Sequence, residues 1–117
     1  GGIMAWLMSG RAVVQLEQTS AQQLAGRFEN GGVRVIDVRT QAEWESGRIA
    51  QAEHFPLADL LAGQFPTAGK EEEIVLQCGS GYRSNIAASI MRQAGYARVK
   101  SLAGGVFAWS NAGYPLI

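Results

Sequence analysis

Short apolar runs alternate along this chain with segments whose apolar residues recur at helical spacing. Residues 33–38 and 74–77 are rich in Val, Ile and Leu, which predicts buried strands. Residues 99–102 are predicted as a final strand, and residues 54–57 resemble a strand leading into a turn. Helical segments are predicted at residues 21–29, 41–46, 58–61, 84–94 and 107–111. Strands that alternate with helices indicate an α/β domain with a mainly parallel sheet.

The ends of the first predicted helix are well marked. Leu24 and Phe28 stand four residues apart and would share one face, Ser20 precedes the segment as an N-cap, and Asn30-Gly31-Gly32 follows it as a stop. The pattern therefore predicts an amphipathic helix that packs on a sheet.

Length and charge narrow the function classes. The 117 residues suit one domain, and 47% apolar composition is enough for a core. Ten basic and ten acidic residues cancel, so charge provides no case for binding nucleic acid or an anionic membrane surface. No apolar run approaches the ~18–20 residues of a membrane span. We expect neither nucleic acid nor a membrane as a partner.

The chain has one cysteine and one histidine. A single cysteine excludes an internal disulfide and a cysteine-rich zinc site, so we expect no metal. A lone thiol also fits a reducing compartment, which favours the cytoplasm.

Cys78 directly follows the predicted strand 74–77, and a loop with two glycines then leads to a helix at Ser84. Ligands of open α/β sheets bind beyond the carboxyl ends of the strands, where a helix N-terminus lowers the pKa of a thiol. Gly79 and Gly81 allow backbone N–H groups to turn inward as an anion nest, and Arg83 adds positive charge. The pattern indicates a nucleophile; the alternative is an inert core cysteine.

These motifs resemble the rhodanese family. Residues 78–84 match its Cys-x-x-Gly-x-Arg-Ser active loop. Residues 35–49 are similar to its Asp-x-Arg, Glu-aromatic and Gly-His-Ile segment, and residues 102–115 to its Gly-Gly, Trp and Gly-Tyr-Pro signature. The resemblance covers about residues 15–117. Arg48 replaces the usual histidine, and residues 51–54 depart from the usual Gly-Ala-x-Asn.

The resemblance implies a rhodanese fold, with a central, mainly parallel sheet of about five strands and helices on both faces. It also implies a sulfurtransferase without a cofactor. Cys78 would take sulfane sulfur from thiosulfate or a persulfide, such as glutathione persulfide, and pass it to a thiol or cyanide. The partners are then a small-molecule sulfur donor and a thiol acceptor. The binding loop would comprise Gly79, Ser80, Gly81, Tyr82, Arg83 and Ser84.

Two charged residues would support this site. Asp37 ends a predicted strand at the same sheet edge, and we interpret it as a partner that orients Arg83 or the loop amides; the alternative is a turn cap. Arg39 is interpreted as a structural ion-pair partner, with Glu43 as the suggested carboxylate.

Two other functions stay open. A cysteine phosphatase of a related fold needs five residues between cysteine and arginine, whereas four separate Cys78 from Arg83. The other possibility is a non-catalytic rhodanese-like regulatory or sulfur-carrier module; regulatory and scaffolding domains of this kind commonly lack the cysteine. Uptake of one sulfur atom by Cys78 would distinguish these possibilities.

An internal repeat suggests a longer parent protein. Residues 1–10 align with residues 104–113 at five identities, including the glycine pair and the tryptophan. We interpret residues 1–13 as the tail of a preceding rhodanese-like domain or a linker, and residues 14–117 as the rhodanese domain. Tandem rhodaneses and fusions to a metallo-β-lactamase-fold persulfide dioxygenase fit this organisation. The alternative is a coincidence of glycine-rich ends or a tag remnant.

Overall fold

The computed structural model describes residues 17–117. Its strands are β1 (Gln18–Thr19), β2 (Val33–Asp37), β3 (Ala52–His54), β4 (Glu73–Gln77) and β5 (Arg98–Leu102). Its helices are α1 (Ala21–Asn30), α2 (Gln41–Ser46), α3 (Leu57–Leu61), α4 (Tyr82–Gln93) and α5 (Gly105–Asn111).

The described strands form one sheet in the order β1-β5-β4-β2-β3, and every neighbouring pair is parallel. β4 lies at the centre, with Leu76 opposite Ile36 of β2 on one side and Ser101 of β5 on the other. The carboxyl ends of all strands therefore meet at one edge, and Cys78 lies at its middle. The predicted α/β fold, with five parallel strands, is confirmed.

Helices cover both faces of the sheet, which makes β4 buried along its whole length. Ile74 and Leu76 point to one face and pack in a cluster under α3 and α4, which also contains Cys78. Val75 points to the other face and packs with residues of α1 and α5, among them Leu24 and Trp109. The period of two along β4 thus divides its apolar side chains between two cores.

Side-chain caps mark the starts of α1 and α2. The hydroxyl of Ser20 accepts from the N–H of Gln23, whose side chain accepts from the N–H of Ser20, and Thr40 and Glu43 form the same capping box at α2. α4 starts at Tyr82, two residues before the predicted start at Ser84, because the left-handed Gly81 is its N-cap.

Two elements differ from the predicted ones. β1 has only two residues and no periodicity that could reveal it. The strand predicted near residues 54–57 occupies Ala52–His54 instead, since α3 already begins at Leu57.

The N-terminal repeat and its interpretation as the tail of a preceding domain fall on residues 1–13, outside the described residues. Among residues 17–117, no helix has both the length and the apolar character needed to cross a membrane.

The turn between β5 and α5 lies directly against the loop that follows β4. Gly105 has a φ of +58°, and a Cβ atom there would lie 2.3 Å from the carbonyl oxygen of Cys78 and 2.8 Å from the carbonyl carbon of Gly79. Only glycine permits both this backbone conformation and this approach.

We predict that Gly105→Ala destabilises the fold more than Gly113→Ala. Gly113 also has a positive φ, of +90°, but nothing lies within 4 Å of its Cβ position. Gly113→Ala should cost about 1–2 kcal/mol for the left-handed conformation alone, and Gly105→Ala roughly 1–3 kcal/mol more because backbone must move. Urea unfolding of both variants measures the difference. Equal destabilisation would contradict the close contact.

Candidate active site

Cys78 follows β4 at the middle of the carboxyl edge and is 1% exposed. Its sulfur accepts from the N–H of Gly81 at 3.1 Å and from the N–H of Ser84 at 3.4 Å. The hydroxyl of Ser84 lies 3.6 Å from the same sulfur. Three hydrogen-bonding groups of the loop and of the first turn of α4 therefore converge on one thiol.

The surroundings shift the pKa of Cys78 in opposite directions. Burial raises the pKa of the thiol, because removal from water disfavours the charged thiolate. The N–H and hydroxyl of Ser84 and the N–H groups of Gly81 and Ser80 lower it, and together they outweigh burial. The net result is a pKa below the ordinary value, which favours the nucleophilic thiolate.

A second buried serine, Ser101 of the neighbouring strand β5, contacts the Ser84 hydroxyl. Its hydroxyl oxygen lies 2.7 Å from that of Ser84, which also donates to the carbonyl of Gly81 at 3.1 Å. Ser101 was not predicted from the sequence. The available signal was only a small polar residue within the predicted strand 99–102.

Arg83 forms a two-pronged ion pair with Glu43 of α2, at 2.6 and 2.9 Å. The hydrogen bonds from Arg83 lower the pKa of Glu43 to about 2; burial opposes them, and the N–H and hydroxyl of Thr40 assist them. The same contact raises the pKa of Arg83. Glu43 is thus the carboxylate that orients Arg83 at the loop and neutralises its charge.

The partners predicted for Asp37 and Arg39 were wrong, and for Asp37 the alternative, a turn cap, is the one observed. Asp37 accepts from the backbone N–H and the guanidinium of Arg39 at 2.7–3.0 Å, so it holds Arg39 rather than Arg83 or the loop amides. Arg39 is a structural ion-pair residue, as expected, but its carboxylate is Asp37 rather than Glu43. Its guanidinium also donates to the carbonyl of Gly47, and the pair is buried. Glu43 is too distant along the chain from Arg83 for the sequence to reveal their contact.

Two backbone carbonyls at the start of the loop accept hydrogen bonds from α5. The carbonyl of Cys78 accepts from the N–H of Val106 at 2.8 Å, and that of Gly79 from the N–H of Phe107 at 3.1 Å. Both donors belong to the first turn of α5. The start of α5 therefore binds the loop through these two carbonyls. The N–H groups of Gly81 and Ser84 donate to the Cys78 sulfur instead.

Aromatic side chains lie at the outer rim. Tyr82 is 56% exposed and Phe107 is 64% exposed. The ring of Phe107 comes within 3.6 Å of the Cβ position at Gly79. The rim beside the buried sulfur thus presents apolar surface as well as the Arg83–Glu43 pair.

Within residues 17–117, no three of the His, Cys, Asp and Glu side chains gather so that they could hold a metal ion. The donors at the site are amides and hydroxyls arranged around a thiol. This arrangement can stabilise a thiolate and a negatively charged sulfur attached to it.

Comparisons with known proteins agree with the motifs. Residues 20–112 match the family model described as a rhodanese-like domain. A sulfurtransferase of Allochromatium vinosum is 34% identical over 105 residues, which cover 90% of this chain and 95% of that protein. The chloroplastic thiosulfate sulfurtransferase 16 of Arabidopsis thaliana is 32% identical over 95 residues, covering 72% and 79%.

Solved structures share the fold. The human single-domain sulfurtransferase TSTD1 superposes with a TM-score of 0.75 at 25% identity, covering 80% of this chain and 95% of that one. Two other curated relatives are longer, and the chain spans 56% and 58% of their lengths.

We predict a pH-dependent contribution of Glu43 to stability. Its pKa falls from 4.5 to about 2 on folding, so between these values the unfolded chain binds more protons. The stabilisation is full above about pH 4.5 and is lost as the pH falls towards 2. Because both partners are partly exposed, we expect less than about 1 kcal/mol. Glu43→Gln should lower the unfolding free energy near neutral pH and match wild type at the acid end.

Urea unfolding across this pH range is the measurement. Glu45→Gln is the control, since Glu45 lies on the same helix and accepts from Gln41 instead of an arginine. A difference between wild type and Glu43→Gln that does not shrink on acidification would contradict the ion pair.

Proposed function

Because this chain belongs to the rhodanese-like domain family, we propose that it is a sulfurtransferase that carries sulfane sulfur as a persulfide on Cys78. One observation carries the proposal: the chain's single thiol lies at the centre of the carboxyl edge, with hydrogen-bond donors converging on its sulfur. Such an arrangement favours the thiolate that must attack a sulfur donor.

The reaction would take two steps. The Cys78 thiolate attacks the outer sulfur of a persulfide, the S–S bond of the donor breaks, and the donor leaves as a thiolate with the bonding electron pair. With thiosulfate the leaving group is sulfite. An acceptor thiolate then attacks the outer sulfur on Cys78, and the new S–S bond forms as the cysteine thiolate is released. No net oxidation occurs, and no cofactor is required.

The size of the site supports transfer of a single atom. Cys78 is 1% exposed, and the loop to Arg83 contains four residues. The N–H groups already surround the cysteine sulfur closely, so a tetrahedral phosphate would need a wider loop. A single sulfur atom at the end of a donor needs much less space.

The rim favours an alkyl persulfide, such as glutathione persulfide, over thiosulfate. Thiosulfate is a dianion, and the guanidinium nearest to the loop is already neutralised by Glu43. Thiosulfate also has no organic part, whereas Tyr82 and Phe107 offer apolar surface beside the loop to the carbon atoms of a larger donor. A thiol is the corresponding acceptor.

We predict that Cys78→Ser abolishes sulfur transfer and leaves the fold intact, because the substitution is nearly isosteric but removes the nucleophile. Steady-state turnover with a persulfide donor tests activity, and thermal unfolding tests the fold. Mass spectrometry of the wild type should show the gain of one sulfur atom after donor exposure. A folded wild type that gains no sulfur and turns over no donor would favour the non-catalytic module instead.

Donor preference is predicted to depend on Glu43. Wild type should have a higher kcat/KM for glutathione persulfide than for thiosulfate. Glu43→Gln removes the charge that neutralises Arg83, so it should raise the kcat/KM for thiosulfate relative to the persulfide, by roughly threefold for a partly screened charge. Glu45→Gln is again the control. An unchanged ratio in Glu43→Gln would show that the ion pair does not set the preference.

A further inference from the structure

A chain of three buried side chains runs from the reactive sulfur into the sheet. It consists of Cys78, Ser84 at 3.6 Å from its sulfur, and Ser101 at 2.7 Å from the Ser84 hydroxyl. Both serines are 0% exposed. We propose that Ser101 is a positioning residue, which holds the Ser84 hydroxyl in the orientation that stabilises the Cys78 thiolate.

The hydrogen-bonding capacity of Ser84 shows why it needs such a partner. Its hydroxyl has one proton to donate and two lone pairs to accept with. Its neighbours are the sulfur, the Ser101 hydroxyl and the carbonyl of Gly81, which can only accept. While Cys78 is a thiol, Ser84 can donate to Gly81 and accept from both the thiol and Ser101.

Ionisation of Cys78 changes this arrangement. The sulfur no longer donates, and as an anion it competes with the Gly81 carbonyl for the single proton of Ser84. If Ser101 donates to the Ser84 oxygen, that oxygen is polarised and its own proton becomes a better donor. With Ser101 fixed on β5, the Ser84 oxygen is also kept at one place between the sulfur and the sheet.

The charged groups around the loop are held by partners other than Ser101. Arg83 of α4 is paired with Glu43 of α2, and Asp37, where β2 ends, is paired with Arg39. Ser101 contacts Ser84 from β5, on another side. Replacing Ser101 therefore leaves both ion pairs in place, and an altered thiol pKa in such a variant reports on the hydroxyl chain.

The inference deepens the proposed function, since it concerns the thiolate that transfer requires, but its test does not use sulfur transfer. The rate of alkylation of the single cysteine by iodoacetamide is measured against pH. Ser101→Ala should raise the pKa of Cys78 and slow alkylation at about pH 6 by roughly threefold. The rates should converge with wild type at high pH, where the thiol is ionised in both.

An isosteric pair isolates the hydroxyl from packing. Ser101→Thr keeps a hydroxyl and should behave like wild type. Ser101→Val has the shape of threonine without the hydroxyl, so it should behave like Ser101→Ala. This pair also serves if Ser101→Ala does not fold. A wild-type pH profile in Ser101→Val, or an equal shift in both members of the pair, would overturn the proposal.

A buried serine of α4 provides the matched control. The hydroxyl of Ser89 is buried and has no hydrogen-bond partner among the described residues. Ser89→Ala should leave the pH profile unchanged. An equal shift in Ser89→Ala would mean that any lost buried hydroxyl has this effect, and the proposal would fail.

A double-mutant cycle tests whether Ser101 acts through Ser84. Ser84→Ala alone should raise the pKa of Cys78. In that background, Ser101→Ala should add no further change, because the intermediate hydroxyl is gone. Fully additive effects of the two substitutions would show that Ser101 influences the sulfur by another route. None of these measurements depends on sulfur transfer. The failure of one proposal would therefore not imply the failure of the other.

Discussion

The hydrogen bonds between the start of α5 and the carbonyls of Cys78 and Gly79 determine how the site is built. A trans peptide is planar, with its C=O and N–H pointing in opposite directions. Once α5 holds the two carbonyls, the N–H of Ser80 must point to the opposite side, and it is one of the groups that lower the pKa of Cys78. The close approach at Gly105 makes these bonds possible. The site is therefore formed by two strand-to-helix turns, of which only one contains the cysteine.

Charge is distributed around the sulfur so that amide and hydroxyl groups, rather than free cations, stabilise it. Arg39, in the interior, and Arg83, at the rim, are each paired with a carboxylate. Amide dipoles are fixed by the backbone and need no reorganisation when the sulfur becomes charged. The result is a thiol with a lowered pKa in a site whose side-chain charges balance.

The sequence was a good guide to the features that depend on local pattern. The apolar run of β4, the capping serine of α1 and the glycines around Cys78 each predict structure from neighbouring residues, and the α/β fold follows from their alternation. Two-residue β1 has no such pattern. The Arg83–Glu43 contact joins residues 40 positions apart, and Ser101 reaches the site only because β5 lies beside β4. Such contacts depend on tertiary packing, so the motif located the cysteine and its loop but not Glu43 or Ser101.

The strand order has a consequence for the behaviour of the sheet towards other chains. Exposed edges of long apolar strands are templates for aggregation. In the described sheet the edges are β1, of two residues, and β3, of three residues, while the five-residue strands β2, β4 and β5 are paired on both sides. Within the described sheet, the apolar run Ile74-Val75-Leu76 of the central strand is thus the one least available to an incoming strand. The order that places Cys78 at the centre of the carboxyl edge also shields this apolar segment from amyloid-like pairings.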